Sequence, residues 1–319
     1  MILLTIILII LLIVVTTKIY QKLTHAICKS SAHMVGKVVI VTGANSGLGF
    51  EVAKDMAFRG ARVILACRNM PLAAMAKELI VKETGNTDVH CRQLDLGSLR
   101  SVREFCENIN KTEKRINVLI NNAASGGLGN YISEDGLQIG MQVNYYATFL
   151  LTCLLVPLLK KSAPSRIINL SSLIHRYGVL DFDNLNMEKY WSDHLVYANS
   201  KLFMNLMTYE LSKRLQGTGV TVNAVHPGVS ATNIFRHIPN YYVRKLVEKS
   251  ISFMFQTPWE ASQTCIYLAV SPEVREVSGK YFSDCRQKKP SQTSQDEDAA
   301  RRLWKESERL VKFTMPDNL

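Results

Sequence analysis

The sequence lacks the cysteine patterns that metal sites and disulfide frameworks require. Its seven cysteines are odd in number and widely spaced, and none forms a Cys-x-x-Cys pair with histidines at metal-binding spacing. A disulfide-stabilised secreted domain and a structural zinc site are therefore excluded. We expect reduced cysteines and no bound metal.

Acidic residues are absent from the start of the chain, where the first is Glu51, and no run of Lys or Arg is longer than two. The net charge of +11 does not follow the clustered pattern of nucleic-acid-binding proteins, because acids alternate with bases in the rest of the chain. We expect no nucleic-acid partner. The lysines that precede Glu51, at positions 18, 22, 29 and 37, suit an anionic membrane surface.

One long hydrophobic run begins the chain. Every residue from Ile2 to Val15 except Thr5 is strongly apolar. A helix extended to Tyr20 would be about 28 Å long, which matches an endoplasmic-reticulum bilayer of about 27 Å. We predict a membrane anchor, with a cleaved signal peptide and a buried core helix as alternatives. The signal peptide fits less well, because no basic residue precedes the run and no Ala-x-Ala site follows it.

Four segments follow from these patterns. Basic residues flank only the C-terminal side of the anchor at 1–20, so the rest of the chain is predicted to face the cytosol from the endoplasmic-reticulum membrane. Residues 21–35 form a basic connector. No linker interrupts 36–285, which reads as one catalytic domain, and 286–319 is a polar extension with a terminal helix.

Short β-rich apolar runs alternate with longer helical stretches, a pattern typical of a parallel sheet covered on both faces. We predict strands at 37–42, 61–66, 88–94, 116–121, 165–171, 219–226 and 278–282. Helical periodicity is clearest at 47–58, 71–83, 98–110, 136–160, 194–215 and 258–269. The fold class is α/β, with a single doubly wound parallel sheet, and its ligands are expected beyond the carboxyl ends of the strands.

A glycine-rich turn follows the first strand and leads into a helix. It reads Thr42-Gly43-Ala44-Asn45-Ser46-Gly47-Leu48-Gly49. Gly43 permits the tight turn, Gly47 a close approach of backbone to a pyrophosphate, and Gly49 the packing of helix on strand, while the helix N-terminus offers free N–H groups. We predict a dinucleotide site; the alternative is a turn with only a packing role.

The end of the second strand carries Arg68, where NAD-binding sheets have an acid for the ribose 2′-hydroxyl. A guanidinium there favours a 2′-phosphate, so we predict NADP(H) as cofactor. The alternative is a solvated surface charge.

Tyr197 and Lys201 are four residues apart and share one helix face. A phenol with a pKa of about 10 is a poor base, but a neighbouring ammonium and an oxidised nicotinamide would lower the pKa of Tyr197. The spacing alone is common by chance, and an exposed Tyr–Lys pair is the alternative.

The chain resembles the short-chain dehydrogenase/reductase family, and within it the retinol dehydrogenase group, over residues 36 to 312. Besides the glycine turn and the Tyr–Lys pair, the matching pieces are Asp95-Leu96, Asn121-Asn122-Ala123, Val143-Asn144, Asn169-Leu170-Ser171-Ser172 and His226-Pro227-Gly228. The resemblance implies a Rossmann-type fold. It also implies an oxidoreductase that interconverts a carbonyl and its alcohol.

The same resemblance implies the roles of individual residues. Ser172 would hydrogen-bond the substrate oxygen, Tyr197 would act as general acid or base, Lys201 would bind the ribose and tune Tyr197, and Asn144 would position a water. The expected cofactor-binding residues are Gly43, Asn45, Ser46, Gly47, Leu48, Gly49, Arg68, Asp95, Asn122, Ala123, Tyr197, Lys201, Pro227, Gly228 and Thr232. One departure is Ala124, where the family usually has glycine.

An apolar and aromatic segment at 233–257 is expected to cover a lipophilic substrate, with membrane contact or packing on the sheet as alternatives. Retinal and retinol are the substrates that the resemblance favours, followed by steroid, isoprenoid and long-chain carbonyls. A catalytically silent, membrane-tethered scaffold is the alternative of another class. Related enzymes often dimerise through the helices at 136–160 and 194–215, so a homodimer is expected.

Overall fold

The computed structural model describes residues 26–228 and 256–316, together with Thr5, Leu12, Ile13, Val15 and Thr16. These isolated N-terminal residues are helical and exposed, and the Thr16 hydroxyl donates to the Leu12 carbonyl at 2.8 Å. Most of the predicted anchor at 1–20 and of the substrate-covering segment at 233–257 lies outside the described residues. Both stay predictions.

All seven predicted strands are confirmed, in one sheet of order β3-β2-β1-β4-β5-β6-β7-β8. The first seven are parallel. The strands are β1 Val38–Thr42, β2 Arg62–Cys67, β3 Val89–Gln93, β4 Val118–Asn121, β5 Ser165–Leu170, β6 Val220–Val225, β7 Tyr281–Ser283 and β8 Arg286–Lys288.

The eighth strand, β8, was not predicted from the sequence and pairs antiparallel with β7. The two strands are joined by Asp284 and Cys285, whose φ angles of 52° and 51° are those of a two-residue hairpin turn. Such turns usually carry Asn-Gly or Asp-Gly, and their absence removed the signal that would have revealed the hairpin.

The predicted helices are confirmed within a few residues at each end. They are α1 Gly47–Phe58, α2 Met70–Thr84, α3 Leu99–Thr112, α4 Ile139–Lys161, α5 Asp193–Arg214, α6 Pro258–Val270 and α7 Glu297–Leu310. Helices α1, α2 and α6 form a hydrophobic core with one face of the sheet. Helices α3, α4, α5 and α7 form a second core with the other face, which is why the central strands are apolar throughout.

Helix α4 is the one helix among the described residues that is long and apolar enough to cross a membrane. Its most apolar window is 89% buried inside the protein, so α4 is a core helix. Around Gln142–Tyr146 it widens into a π turn, which interrupts the regular helical hydrogen bonds.

The C-terminal helix α7 is part of the core. The ring of Trp304 lies edge-on to Phe149 of α4, with centroids 4.7 Å apart, and beneath the Arg214 guanidinium of α5. The Tyr145 and Ser307 hydroxyls are 2.8 Å apart. Helix α7 therefore covers parts of α4 and α5, the helices through which we predicted a dimer.

Replacing Trp304 with Ala should lower the free energy of unfolding by about 3 to 5 kcal/mol, because the cavity lies where α4, α5 and α7 meet. Denaturant unfolding of Trp304→Ala measures this effect, with Trp259→Ala as the control because Trp259 is 46% exposed. Equal losses in the two variants would contradict the assignment of α7 to the core.

Candidate active site

The glycine turn between β1 and α1 is shaped by close backbone approaches. Gly43 has a φ of +65°, and a Cβ there would lie 3.1 Å from Ala123. A Cβ on Gly49 would collide with the Asn122 amide and lie 2.5 Å from the Gly43 oxygen. At Gly47, where φ is +60°, nothing lies within 4 Å, so this part of the turn is open to a ligand.

Asn122, just beyond β4, holds the turn in place. Its Nδ2 donates to the Thr42 carbonyl oxygen at 2.7 Å. The backbone N–H groups of Asn122 and Ala123 both donate to the Thr42 hydroxyl at 2.9 Å. These bonds join the carboxyl ends of β1 and β4, at the edge where ligands of doubly wound sheets bind. We call this the carboxyl edge of the sheet.

The open turn leads into the N-terminus of α1, where Asn45 and Ser46 precede the helix and the N–H groups of Gly47, Leu48 and Gly49 have no partner in a preceding helical turn. This arrangement fits a pyrophosphate, which needs closely approaching donors and gains from the positive end of the helix dipole. The donor set and the open space at Gly47 therefore suit a dinucleotide.

Two further predicted cofactor residues follow neighbouring strands at the same edge. Arg68 comes directly after β2 and is exposed. It makes no ion pair with any residue that the structure describes. Asp95 follows β3 and is half-buried, and its Oδ1 accepts a hydrogen bond from the Gly97 N–H at 2.8 Å. Ala124, the departure from the family pattern, is exposed, so its methyl group does not crowd the chain.

On the other side of the carboxyl edge, Pro227 and Gly228 follow β6. Gly228 has a φ of +90° and lies so close to the side chain of Gln256 that a Cβ would collide with it. Thr232 lies outside the described residues, so its predicted contact stays a prediction.

Tyr197 and Lys201 lie one turn apart near the beginning of α5, which Ser192 caps by accepting a hydrogen bond from the Leu195 N–H. Lys201 is buried, and its Nζ donates to the Leu170 carbonyl at the end of β5 at 2.8 Å. The same Nζ lies 5.5 Å from the centre of the Tyr197 ring.

Burial separates the two neighbouring serines after β5. Ser171 is buried, and its hydroxyl donates to the Lys201 carbonyl at 3.2 Å. Ser172 is only half-buried, and its hydroxyl accepts a hydrogen bond from the Ile174 N–H at 3.3 Å. Ser172 therefore has the hydroxyl that a substrate can reach.

Asn144 lies in the π turn of α4 and is buried. Its Nδ2 donates to the Ser125 carbonyl and its Oδ1 accepts from the Ser125 N–H, both at 2.8 Å. The amide thus holds the loop that follows β4. That loop, Ser125–Gly129, lines a narrow cleft together with Val196 and Tyr197. A larger cleft, between Ser30 and Tyr267, lies away from these side chains.

His175 was not singled out from the sequence. Its Nδ1 lies 2.5 Å from the Ser172 carbonyl oxygen, and its Nε2 accepts from the Ser291 N–H at 3.0 Å. This pattern requires a neutral ring with its proton on Nδ1, and burial agrees by lowering the pKa of His175. His175 therefore links the Ser172 turn to Ser291, which is 116 residues further along the chain. No local sequence pattern could reveal this link.

Burial determines the protonation of the Tyr–Lys pair. It lowers the pKa of Lys201 to about 8 and raises that of Tyr197. In the cofactor-free protein, Lys201 gives its hydrogen bond to Leu170, and loss of hydration favours the neutral phenol. The expectation that the ammonium and an oxidised nicotinamide together lower the pKa of Tyr197 concerns the cofactor-bound state and stays a prediction.

Among the described residues, no three His, Cys, Asp or Glu side chains are grouped in a way that could hold a metal ion. The site offers an open glycine turn at a helix N-terminus, a half-buried serine hydroxyl, and a phenol near an ammonium. This combination can bind a dinucleotide and exchange a proton with an oxygen of a second ligand.

Comparison with known proteins gives one consistent family. The sequence model of a protein family described as short chain dehydrogenase matches residues 37–241 of this chain. Mouse retinol dehydrogenase 13 is 48% identical over 292 residues, which cover 90% of this chain and 87% of that protein. Human retinol dehydrogenase 14 is 44% identical over 292 residues, covering 87% of each.

Solved structures with similar folds agree with this family assignment. A protein from Mycobacterium paratuberculosis is 28% identical, with a TM-score of 0.70 over 90% of this chain and 97% of that one. A short chain dehydrogenase from Escherichia coli CFT073 complexed with NADPH is 26% identical, with a TM-score of 0.62 over 81% of this chain and 100% of that one.

The low pKa of Lys201 predicts that the cofactor-free protein becomes more stable as pH rises. Between the folded pKa of about 8 and the ordinary lysine pKa of 10.5, the unfolded chain binds a proton at Lys201 that the folded chain does not. From about pH 8 to pH 10, the unfolding free energy of the wild type should therefore rise by about 2 kcal/mol relative to Lys201→Met. Parallel pH profiles of the two proteins would contradict the burial of a titrating ammonium.

Proposed function

Because the chain belongs to the short-chain dehydrogenase/reductase family, within its retinol dehydrogenase group, we propose that it is an NADP-dependent reductase of a lipophilic aldehyde or ketone. Membership makes it an oxidoreductase that interconverts a carbonyl and its alcohol. Cofactor preference, substrate and residue roles are the proposed part. The observation that carries the residue roles is the buried Lys201, whose Nζ lies 5.5 Å from the centre of the Tyr197 ring.

The proton step follows from this geometry. Ser172 holds the carbonyl oxygen of the substrate by donating its hydroxyl hydrogen. The Tyr197 hydroxyl then donates a proton to the same oxygen as hydride reaches the carbonyl carbon. The resulting phenolate is stabilised by the Lys201 ammonium, which is largely protonated at neutral pH because its pKa stays at about 8. When bound, the nicotinamide supplies the hydride.

Asn144 positions the proton path indirectly. Its amide fixes the Ser125 loop on both sides, and this loop lines the cleft beside Tyr197. The second Nδ2 hydrogen and the second Oδ1 lone pair, which bond to no described residue, position a water in the proton relay. Lys201 also binds the ribose hydroxyls through the protons that it does not donate to Leu170.

The cofactor is held along the carboxyl edge. The turn from Gly43 to Gly49 and the first turn of α1 bind the pyrophosphate, and Arg68 binds the 2′-phosphate. Asp95 would face the adenine, and the residues after β4 and β6 would line the cofactor: Asn122, Ala123, Pro227 and Gly228. Thr232, which lies outside the described residues, would hold the carboxamide. The NADPH complex of the related Escherichia coli protein supports the choice of NADP.

Retinal is the substrate that we favour, because relatives that are 44 to 48% identical to this chain are named retinol dehydrogenases. Steroid, isoprenoid and long-chain carbonyls are the next candidates. The apolar run before residue 20 supports attachment to the endoplasmic-reticulum membrane with the catalytic domain in the cytosol. A cytosolic NADPH-dependent enzyme would act mainly as a reductase. Dimerisation through uncovered parts of α4 and α5 stays a prediction.

Replacing Tyr197 with Phe should reduce turnover of retinal by about 10² to 10⁴-fold, the usual contribution of a positioned acid. The affinity for NADPH should fall far less than turnover, because the glycine turn, Arg68 and Lys201 supply most of the proposed cofactor contacts. Stopped-flow NADPH oxidation and fluorescence titration separate the two effects. A silent scaffold would show no turnover in the wild type with retinal, steroid or long-chain carbonyls.

Replacing Arg68 with Ala should raise the KM for NADPH at least tenfold, about 1.4 kcal/mol, and leave the KM for NADH unchanged. The reason is that only NADPH presents a 2′-phosphate to the guanidinium. Arg100→Ala is the matched control, since Arg100 is an exposed arginine at the beginning of α3. Equal changes for both cofactors would refute the role of Arg68.

A further inference from the structure

The connector between the hydrophobic run and the catalytic domain is bound to the domain surface from residue 26 to residue 35. At one end, the Met34 N–H donates to the Arg59 carbonyl at 2.8 Å. The Arg59 guanidinium donates to the carbonyl oxygens of Ser30 and Ala32, at 2.8 and 2.9 Å. Arg59 directly follows α1 and precedes β2, so this end of the connector lies at the amino edge of the sheet, away from Tyr197.

The other end of the connector lies at the carboxyl edge. The Cys28 N–H donates to the Gln263 side chain on α6 at 3.2 Å. The Cys285 thiol contacts the Ala26 carbonyl oxygen at 3.9 Å. Cys285 is in the turn after β7, and β7 is parallel to β6, so this turn projects from the same edge as Ser172 and Tyr197. Eight residues of extended chain cover about 26 Å, enough to run from one edge to the other.

The length of chain before Ala26 then limits where a bilayer can lie. A free connector of residues 21–35 could reach more than about 50 Å and would allow any orientation of the domain. With the chain bound from Ala26 onward, only residues 21–25 separate the end of the hydrophobic run from the carboxyl edge. They span at most about 20 Å.

We propose that the carboxyl edge of the sheet faces the lipid bilayer, so that the cleft beside Tyr197 opens toward the membrane surface. This proposal rests on the proposed membrane anchor and goes beyond it, because an anchor alone does not choose an edge. The occupant is the lipid surface itself. A lipophilic carbonyl dissolved in the bilayer then reaches Ser172 and Tyr197 with little passage through water.

The carboxyl edge has the apolar side chains for such a contact. Several lie on loops and helix starts around the site and are about half-exposed or more: Tyr131, Ile132, Leu173, Tyr177, Val179, Tyr190 and Trp259. Exposure alone does not decide the orientation, because Val35 and Phe58 at the amino edge are equally exposed. The bound connector favours the carboxyl edge, because it keeps the end of the hydrophobic run within about 20 Å of that edge.

Tryptophan quenching in vesicles tests the orientation. The full chain is reconstituted in phosphatidylcholine–phosphatidylserine vesicles whose acyl chains carry bromine, which quenches nearby indoles. Tyr177→Trp places a probe at the carboxyl edge, and Phe58→Trp is its matched control at the amino edge; the native side chains are 73% and 76% exposed. The signal is the emission of each variant minus that of the wild type. This subtraction removes the emission of the native tryptophans, which all of the proteins share.

We expect most of the added emission of Tyr177→Trp to be lost in brominated vesicles and that of Phe58→Trp to be retained. Equal quenching, or stronger quenching at position 58, would overturn the proposed orientation while leaving the anchor intact. If the wild type fails to float with the vesicles, the anchor itself is wrong and the orientation falls with it. NADPH oxidation with retinal, measured on the same samples, reports separately on the enzymatic proposal.

A longer tether provides a second measurement. Inserting about ten Gly/Ser residues between His25 and Ala26 adds about 17 Å of average reach and leaves the bound connector unchanged. The quenching at position 177 should weaken, and the KM for vesicle-dissolved retinal should rise while the affinity for NADPH stays constant. An unchanged KM with unchanged quenching would show that the tether does not hold the edge at the membrane.

Discussion

The buried ammonium of Lys201 is the constraint on which the candidate site depends. A charged amine in the protein interior loses its hydration, a cost visible in its lowered pKa, and it needs a strong acceptor in compensation. The carbonyl oxygen of Leu170 at the end of β5 supplies it. In return, Ser171 donates to the Lys201 carbonyl, so two hydrogen bonds join α5 to β5. Ser172 and Tyr197 thereby lie at the same edge of the sheet.

The nucleotide half of the site rests on close backbone packing. Thr42 and Asn122 join the ends of β1 and β4, and the glycine turn fits only because Gly43 and Gly49 leave room for Ala123 and the Asn122 amide. Asn144 extends this connection to the loop after β4. Both halves of the site are therefore fixed by contacts between strand ends, which a doubly wound sheet brings together at its carboxyl edge.

The two ends of the catalytic domain also contribute to the site. On one side, His175 bonds the Ser172 turn to Ser291, and the Arg176 guanidinium donates to the Lys289 carbonyl at 2.7 Å. The segment after β8 therefore holds the turn that carries Ser172 in place. On the other side, the connector runs along α6 from the amino edge to the carboxyl edge. The segments that the sequence presents as a tail and a linker are both bound to the fold, and the bound connector is the basis of the proposed membrane orientation.

Local patterns in the sequence were enough to predict the strands and helices. Alternating apolar runs gave the seven parallel strands and the helices between them, because strand and helix periods differ. The glycine turn and the Tyr–Lys spacing can be recognised from the sequence because each motif spans only a few residues. The eighth strand was missed because Asp284 and Cys285 are not the residues that usually form a two-residue hairpin turn.

The tertiary structure decided what depends on distance in space. Only burial distinguishes Ser171 from Ser172, and only packing shows that Lys201 bonds Leu170 and that the pKa of Tyr197 rises before any cofactor binds. The partners of His175 and of Ala26 are separated from them by more than a hundred residues. Hydrogen bonds between such residues have no period or motif along the chain, because the folded sheet alone brings their strands and loops to the same edge.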